Sequence, residues 1–175
     1  MAEIHSLVPA AKKGDKSAFS QLYQEIYKDL YKFAFYCLKN ETDAEDAVSE
    51  AVMDAWENLP KLREDGAFRA WMFKILSAKC KRKMKSYSQR RDKTELSEVE
   101  IPVSDSREDS LELRRAMALL SEEERLIVSL TVFGGYDSGE IAQMLNLNRN
   151  TVRSKHSRAL AKLREALAWL KRFYP

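Results

Sequence analysis

The sequence predicts an all-α protein of two small helical domains joined by a flexible linker, the C-terminal one with a helix-turn-helix. Three observations lead to this prediction. Apolar residues recur at helical intervals along most of the chain. A polar stretch over 86–110 has no such period. Two short amphipathic helices with a tight turn between them lie near the C-terminus. We therefore assign residues 1–85 to an N-terminal domain, 86–110 to the linker and 111–175 to a C-terminal domain.

The composition excludes several classes of protein. A chain of 175 residues with 45% hydrophobic content can bury one moderate core or two small ones. No apolar run approaches the roughly 20 residues of a membrane span, and the first residues lack the order of a signal peptide. Cys37 and Cys80 have no metal-like spacing and are predicted to be reduced thiols in or near the core. These features favour a cytoplasmic protein with no cofactor, no bound metal and no membrane insertion.

The net charge is +3, but the charged residues are distributed unevenly along the chain. Residues 74–93 hold nine basic side chains against one acid, whereas 40–57 hold seven acids and no base. Residues 95–112 are acidic again, and the C-terminal helix is basic. Two basic regions suggest two places where a polyanion is held. The acidic region over 40–57 indicates a partner that is not a polyanion.

Three helices are predicted in the N-terminal domain. The first, over 15–38, is unusually aromatic. The second, over 42–59, is predicted to begin with a capping box of Thr42 and Glu45. The third, over 68–87, has an apolar first half, and its second half carries more basic residues than a helix C-terminus requires. That excess predicts contacts with a phosphate backbone.

Four acids of the second helix, Asp46, Glu50, Asp54 and Glu57, are four, four and three residues apart and therefore share one exposed face. Three interpretations are open: an ordinary solvated face, a carboxylate metal site as in a nuclease, and a docking surface for a protein partner. The metal site would need inward-facing ligands and a histidine or a second acidic helix, and none is evident.

The C-terminal domain is predicted to begin with two supporting helices, over 111–120 and from Ser121. Ser121 with Glu124 forms a capping box, and this helix ends at a pair of glycines. The helix-turn-helix follows. Asp137 and Glu140 cap its first helix, Asn146 makes the turn, and Asn148 caps the second helix.

The second helix of the motif has two faces. Its inward stripe is predicted to contain Val152, His156, Ala159, Leu160, Leu163 and Leu167. Its outward face begins near the N-terminal end of this helix, which is the end that reaches base edges in a helix-turn-helix. This face contains Arg149, Asn150, Arg153, Ser154, Lys155 and Arg158. Eight basic residues against one acid between 149 and 172 favour DNA binding over a neutral solvated face.

Several segments, in one order, resemble a known family. They are DAEDAVSEAVMDAWENL, GAFRAWMFKIL, LSEEERLIVSL and GEIAQMLNLNRNTVRSKHSRALAKLRE. Together they resemble the extracytoplasmic-function (ECF) group of bacterial sigma factors, over about residues 19–167. The resemblance implies a protein that performs no catalysis itself. It implies one that binds core RNA polymerase and directs promoter recognition, promoter opening and transcription initiation.

The resemblance also implies a role for each charged region and a set of partners. Docking on core RNA polymerase would fall to Asp43, Asp46, Glu50, Asp54 and Glu57. Holding the downstream (minus-ten) promoter element would fall to Lys61, Arg63, Lys74, Lys79, Lys81, Arg82 and Lys83. The outward face of the helix-turn-helix would read the upstream (minus-thirty-five) element in promoter DNA. A partner anti-sigma factor would control the protein from outside.

Two other functions remain open on the residues alone. A helix-turn-helix regulator that binds duplex DNA without polymerase would use the N-terminal domain for dimerisation or sensing. An acid-cluster nuclease would require metal-dependent cleavage of DNA.

Overall fold

The computed structural model describes residues 2–91 and 108–173, and every regular element within these ranges is helical. The helices are α1 (Ala2–Lys12), α2 (Lys16–Leu38), α3 (Glu41–Asn58), α4 (Phe68–Arg91), α5 (Glu108–Ala118), α6 (Glu122–Ser129), α7 (Ser138–Leu145) and α8 (Arg149–Phe173). Two short 3-10 turns, Leu59–Lys61 and Asp65–Ala67, connect α3 to α4, and a π-helical turn, Leu130–Gly134, follows α6. Within the described ranges, no helix is long and apolar enough to span a bilayer.

Helix α2 is the centre of the N-terminal half, and α1, α3 and α4 all pack against it. Phe33 of α2 and Phe73 of α4 are fully buried and meet edge to face, with ring centroids 5.6 Å apart. This geometry suits the opposite charges of a ring face and a ring edge. Helix α1 was not predicted, and its interior contains Pro9, a residue that generally disfavours a helix. Val8 is nevertheless completely buried there.

The starts of α2 and α3 depend on caps just outside each helix. Asp15 accepts hydrogen bonds from the backbone N–H groups of Ser17 and Ala18, at 2.9 and 3.1 Å. The predicted capping box of Thr42 and Glu45 is wrong. Lys39 is left-handed, with φ of 60°, so the chain turns there and α3 starts earlier than predicted. Asn40 caps α3 instead and accepts a bond of 2.9 Å from the backbone N–H of Asp43.

Helix α4 is longer than predicted. It continues past Tyr87 to Arg91 and so enters the range assigned to the linker. The rest of the predicted linker, 92–107, lies outside the described residues. The first helix of the C-terminal half, α5, begins at Glu108 and ends at Ala118.

The C-terminal half has a small core between α5, α6 and α8. The predicted capping box of α6 is confirmed, because Glu124 N–H donates to Ser121 Oγ at 3.2 Å and Ser121 N–H donates to Glu124 Oε2 at 2.9 Å. Lys162 Nζ of α8 also donates to both Glu124 oxygens, at 2.8 and 2.9 Å. The Lys162 ammonium lowers the pKa of the Glu124 carboxyl, with help from the bonds to Ser121. One glutamate thus fixes the start of α6 and the position of α8.

The Ser121→Ala variant is expected to lower the free energy of unfolding by about 1 kcal/mol, because α6 loses its side-chain cap. Chemical denaturation followed by circular dichroism measures this change. The matched control is Ser154→Ala, which removes an exposed hydroxyl in α8. An equal loss of stability in both variants would contradict the role given to the Ser121 cap.

The two halves share one continuous hydrophobic core. Ile127 and Leu130 are completely buried, and they belong to the same cluster as Leu30 and Phe33 of α2 and Met72 of α4. The sequence did not predict this contact, because the period of an amphipathic helix shows which face is buried and not what covers it.

Candidate nucleic-acid and polymerase interfaces

The helix-turn-helix has the predicted local geometry. Asp137 accepts bonds from the backbone N–H groups of Gly139 and Glu140, at 2.6 and 2.9 Å, and Glu140 accepts one of 2.8 Å from Asp137. The bonds that Asp137 accepts lower the pKa of its carboxyl. Asn146 is left-handed, with φ of 55° and ψ of 47°. Asn148 Oδ1 accepts a bond of 2.8 Å from the backbone of Asn150, which confirms it as the cap of α8.

The inward stripe of α8 is narrower than predicted. Val152, Ala159 and Leu163 are buried, and His156 is half-buried. The prediction for Leu160 is wrong, since 39% of its surface is exposed. Leu160 directly follows Ala159 and therefore lies about 100° further around the helix. Since Ala159 is on the buried face of α8, Leu160 points away from that face.

The predicted DNA-reading side chains lie together at the N-terminal end of α8. All except Lys155 are exposed. Lys155 is half-buried, and its Nζ lies 2.8 Å from Glu123 Oε2 of α6. Among the described residues, no acid forms an ion pair with Arg149, Arg153 or Arg158. Their guanidinium groups are therefore open to an anionic ligand.

Many of the predicted polymerase-binding acids and DNA-binding bases face each other. We call this contact between the antiparallel helices α3 and α4 the α3–α4 seam; it comprises Asp43, Asp46, Glu50, Asp54, Lys79, Arg82 and Lys83. Lys79 forms an ion pair with Asp54 and lies 3.7 Å from Glu50. Arg82 contacts the same Glu50 carboxylate at 2.5 Å.

At the end of the seam nearest the start of α3, one lysine contacts two acids. Lys83 Nζ lies 3.4 Å from an Asp43 oxygen and 3.5 Å from an Asp46 oxygen. The Tyr87 hydroxyl donates to the same Asp43 carboxylate. The lysine side chains of the seam are only 13% exposed at Lys79 and 19% at Lys83, so they are the least accessible of the predicted DNA contacts.

The spacing of charges in the sequence contains a signal for this seam that the prediction did not use. Lys79 and Lys83 are four residues apart, as are Glu50 and Asp46, and the two helices run in opposite directions. Two such rows match when antiparallel helices pack side by side. The prediction gave them to two different partners, because neither pattern by itself shows that the helices are neighbours.

Exposed charges of both signs remain at the edge of the seam and beyond it. Arg63, Lys74 and Lys81 are exposed, and within the described chain no acid pairs with them. Lys61 donates a hydrogen bond of 2.7 Å to Asn58. On the acidic side, Glu57 is exposed and Asp46 keeps 60% of its side chain exposed despite the contact with Lys83. The described residues contain no cluster of three or more His, Cys, Asp or Glu able to hold a metal ion.

These surfaces define a helical protein of two halves, with an acidic helix beside a basic helix in one half and a helix-turn-helix in the other. Residues 22–91 match the family model described as sigma-70 region 2, and residues 110–163 match that of sigma-70 region 4. The chain therefore belongs to the sigma-70 family, in its ECF group, and is a promoter-recognition sigma factor of RNA polymerase.

Individual relatives support the same assignment. The chain is 32% identical over 173 residues to the RNA polymerase sigma factor NccH of Alcaligenes xylosoxydans xylosoxydans, covering 90% of this chain and 91% of that protein. It is 29% identical to the ECF sigma factor SigM of Mycobacterium tuberculosis, covering 94% and 84%. Among solved structures, it is similar to the sigma factor RpoE of Bartonella quintana in complex with the anti-sigma factor NepR. The TM-score is 0.70 and the identity 25%, over 86% of this chain and 96% of that one.

Proposed function

We propose that the N-terminal half, residues 1–85, docks on core RNA polymerase and holds the downstream promoter element, while the C-terminal half, 111–175, reads the upstream element. The observation that carries this proposal is the separation of accessible charge. Exposed acids lie on α3, exposed bases lie on α4 and its preceding turns, and a second basic face lies at the start of α8. Each basic face suits a phosphate backbone, and the acidic face suits a protein surface of opposite charge.

The ion pairs of the α3–α4 seam lead us to assign different roles to the charged residues of the N-terminal half. Lys61, Arg63, Lys74 and Lys81 are exposed, and we assign the downstream DNA contacts to them, together with the exposed Arg82. Lys79 and Lys83 bind the acids of α3 and mainly hold α3 against α4. Of the acids, Asp46 and Glu57 are the best placed to meet polymerase, with Asp43, Glu50 and Asp54 supporting them from the seam.

The chain supplies specificity and binding free energy, and polymerase makes the RNA, so the protein is not an enzyme and acts in the cytoplasm. The Bartonella relative was solved with an anti-sigma factor. We propose that an inhibitor of that kind also controls this chain.

A double variant, Lys74→Ala with Lys81→Ala, tests the downstream contacts. Each lysine that neutralises a phosphate of single-stranded DNA contributes about 0.7 to the slope of log affinity against log salt concentration. We expect the slope for holoenzyme binding to an open promoter to fall by about 1.4. Filter binding or fluorescence anisotropy over a range of salt concentrations measures it.

The control has the same loss of charge elsewhere in the same half. Lys28 and Lys32 are exposed on α2, and Lys28→Ala with Lys32→Ala should leave the slope unchanged. If the control and the test variant reduced the slope equally, the assignment of the downstream contacts would be wrong.

A further inference from the structure

Helix α1 takes no part in the interfaces described above, but it packs against the loop that joins α3 to α4. It contacts α2 and both 3-10 turns of that loop, Leu59–Lys61 and Asp65–Ala67. Val8 is completely buried on the inner side of α1. The loop carries Lys61 and Arg63, two of the proposed downstream DNA contacts. Helix α1 therefore supports one side of the loop that presents these contacts.

An ion pair joins the end of α1 to this loop. Lys12 Nζ donates to Asp65 Oδ1 at 2.5 Å, across 53 positions of the chain. The Lys12 side chain is 22% exposed and that of Asp65 is 36% exposed, so water screens this pair less than a pair on the open surface. A charge-assisted hydrogen bond of this kind holds the two groups at a defined distance.

Asp65 lies at the point where the loop enters the basic helix α4. It begins the second 3-10 turn, and its carbonyl oxygen accepts a hydrogen bond from the backbone N–H of Phe68, the first residue of α4. The next residue, Gly66, is exposed and has no side chain that could fix the turn. The Lys12 ammonium therefore holds the loop at its junction with α4.

The anchored residues of the loop leave a short exposed segment between them. Leu62 is buried, and its backbone N–H donates to the carbonyl oxygen of Leu59 at 3.0 Å. Arg63 and Glu64 follow Leu62 and are exposed, and Asp65 comes next. The exposed pair thus has one anchor on each side. The position of Asp65 determines where the Arg63 guanidinium can reach.

The same ion pair changes the charge of the loop. The loop over 59–67 contains two bases and two acids, so it has no net charge of its own. Lys12 supplies a third base and neutralises the Asp65 carboxylate. An unpaired carboxylate next to the proposed DNA contacts would repel the phosphate backbone, since like charges across an interface are unfavourable.

We propose that Lys12 is a positioning residue for the downstream promoter element, and that it acts through Asp65 on the loop that carries Lys61 and Arg63. The inference rests on the proposed function, because it requires that this loop hold downstream DNA. Lys12 does not itself contact the DNA, since its ammonium is bound to Asp65 and is mostly covered. Loss of Lys12 misplaces the loop and leaves an acid unpaired beside the DNA.

The test compares two affinities of the holoenzyme for open promoter DNA, one with the native downstream element and one with that element scrambled. The promoter is one whose transcript start depends on the protein. In Lys12→Ala we expect the ratio of the two affinities to fall by about three- to tenfold, because a partly screened, charged hydrogen bond is lost. Lys12→Arg keeps the charge and should restore most of the ratio. Fluorescence anisotropy measures both affinities.

Two further readouts separate positioning from direct contact. A lysine that neutralises a phosphate of single-stranded DNA contributes about 0.7 to the slope of log affinity against log salt concentration. The slope for Lys12→Ala should stay at the wild-type value. In an Asp65→Ala background, Lys12→Ala should lower the ratio no further, because the two residues act as one unit. A slope reduced by about 0.7, or additive losses, would overturn the positioning role.

The matched control is Lys13→Ala, which removes the neighbouring exposed lysine and should leave the ratio unchanged. An equal fall in this control would contradict the specific role of Lys12. The affinity of Lys12→Ala for core polymerase should equal that of the wild type, since the proposed docking face on α3 is intact. If that affinity fell by the same factor as the ratio, Lys12 would only stabilise the fold.

The variant Arg63→Ala distinguishes failure of the inference from failure of the proposed function. An unchanged ratio in Arg63→Ala would show that the loop does not read the downstream element, and the proposed function of the loop would fail with the inference. A lower ratio in Arg63→Ala, together with a wild-type ratio in Lys12→Ala, would overturn the inference alone.

Discussion

Replacement of Asp46 and Glu57 by lysine is expected to weaken binding to core RNA polymerase by on the order of 100-fold or more. Loss of one charge from a buried, hydrogen-bonded interface pair costs about 2–5 kcal/mol, and reversal adds repulsion. Both side chains are accessible on α3, and the exposed Met53 between them offers apolar contact area. Surface plasmon resonance with immobilised core enzyme measures the change.

The choice of these two acids follows from the α3–α4 seam. Lysine at Glu50 or Asp54 would face Lys79 and disturb the packing of α4, so a loss of binding there would have two explanations. The Asp46 side chain is 60% exposed and pairs only with Lys83, which also contacts Asp43, and Glu57 has no ion pair among the residues described. Their variants should therefore retain the helix content and thermal stability of the wild type.

The control variant has the same change in net charge at other exposed acids, Glu25→Lys on α2 with Glu165→Lys on α8. It is expected to bind polymerase like the wild type. Equal binding by the Asp46/Glu57 variant and the wild type would remove α3 from the polymerase interface.

The Arg153→Ala variant is expected to lose about 1–3 kcal/mol of affinity for the upstream element, if its two N–H donors hold a guanine edge in the major groove. The side chain is exposed near the start of α8, where no acid in the described chain neutralises it. The measurement compares binding to a duplex that carries the upstream element with binding to a scrambled duplex. Specific recognition requires that the loss occur on the first duplex only.

The corresponding control is Arg164→Ala. This arginine is also exposed on α8, but it lies about three turns further along the helix. It should change both affinities little and equally. A loss of equal size on both duplexes for Arg153→Ala would make that residue a phosphate contact without a role in specificity.

The sequence predicted the elements that depend on local rules. The apolar period of α2, the capping boxes of Ser121 and Asp137, and the left-handed turn at Asn146 are all present. Each is a consequence of residues within a few positions of one another, where backbone geometry and side-chain hydrogen bonds decide the outcome. These rules were sufficient to place the helix-turn-helix and to orient its exposed basic face.

The features that were missed depend on partners distant in the chain. Lys83 is 40 positions from Asp43, and Lys12 is 53 positions from Asp65. Nothing local in a basic or acidic helix shows that its charges are already matched by a neighbouring helix. The predicted cap of α3 was wrong for a different, local reason: the left-handed turn at Lys39 moves the N-cap of the helix to Asn40, which the spacing of Thr42 and Glu45 does not reveal.

Direction of polymerase to promoters is the central property of this chain, and one measurement tests it most directly. Bacterial core RNA polymerase is supplied with fragmented genomic DNA, with and without the protein, and the 5′ ends of the transcripts are mapped. We predict discrete starts that appear only with the protein, preceded by two shared sequence elements about 25 base pairs apart. Identical transcripts in the two reactions, together with no binding to core polymerase, would contradict this function and favour a helix-turn-helix regulator that acts on duplex DNA alone.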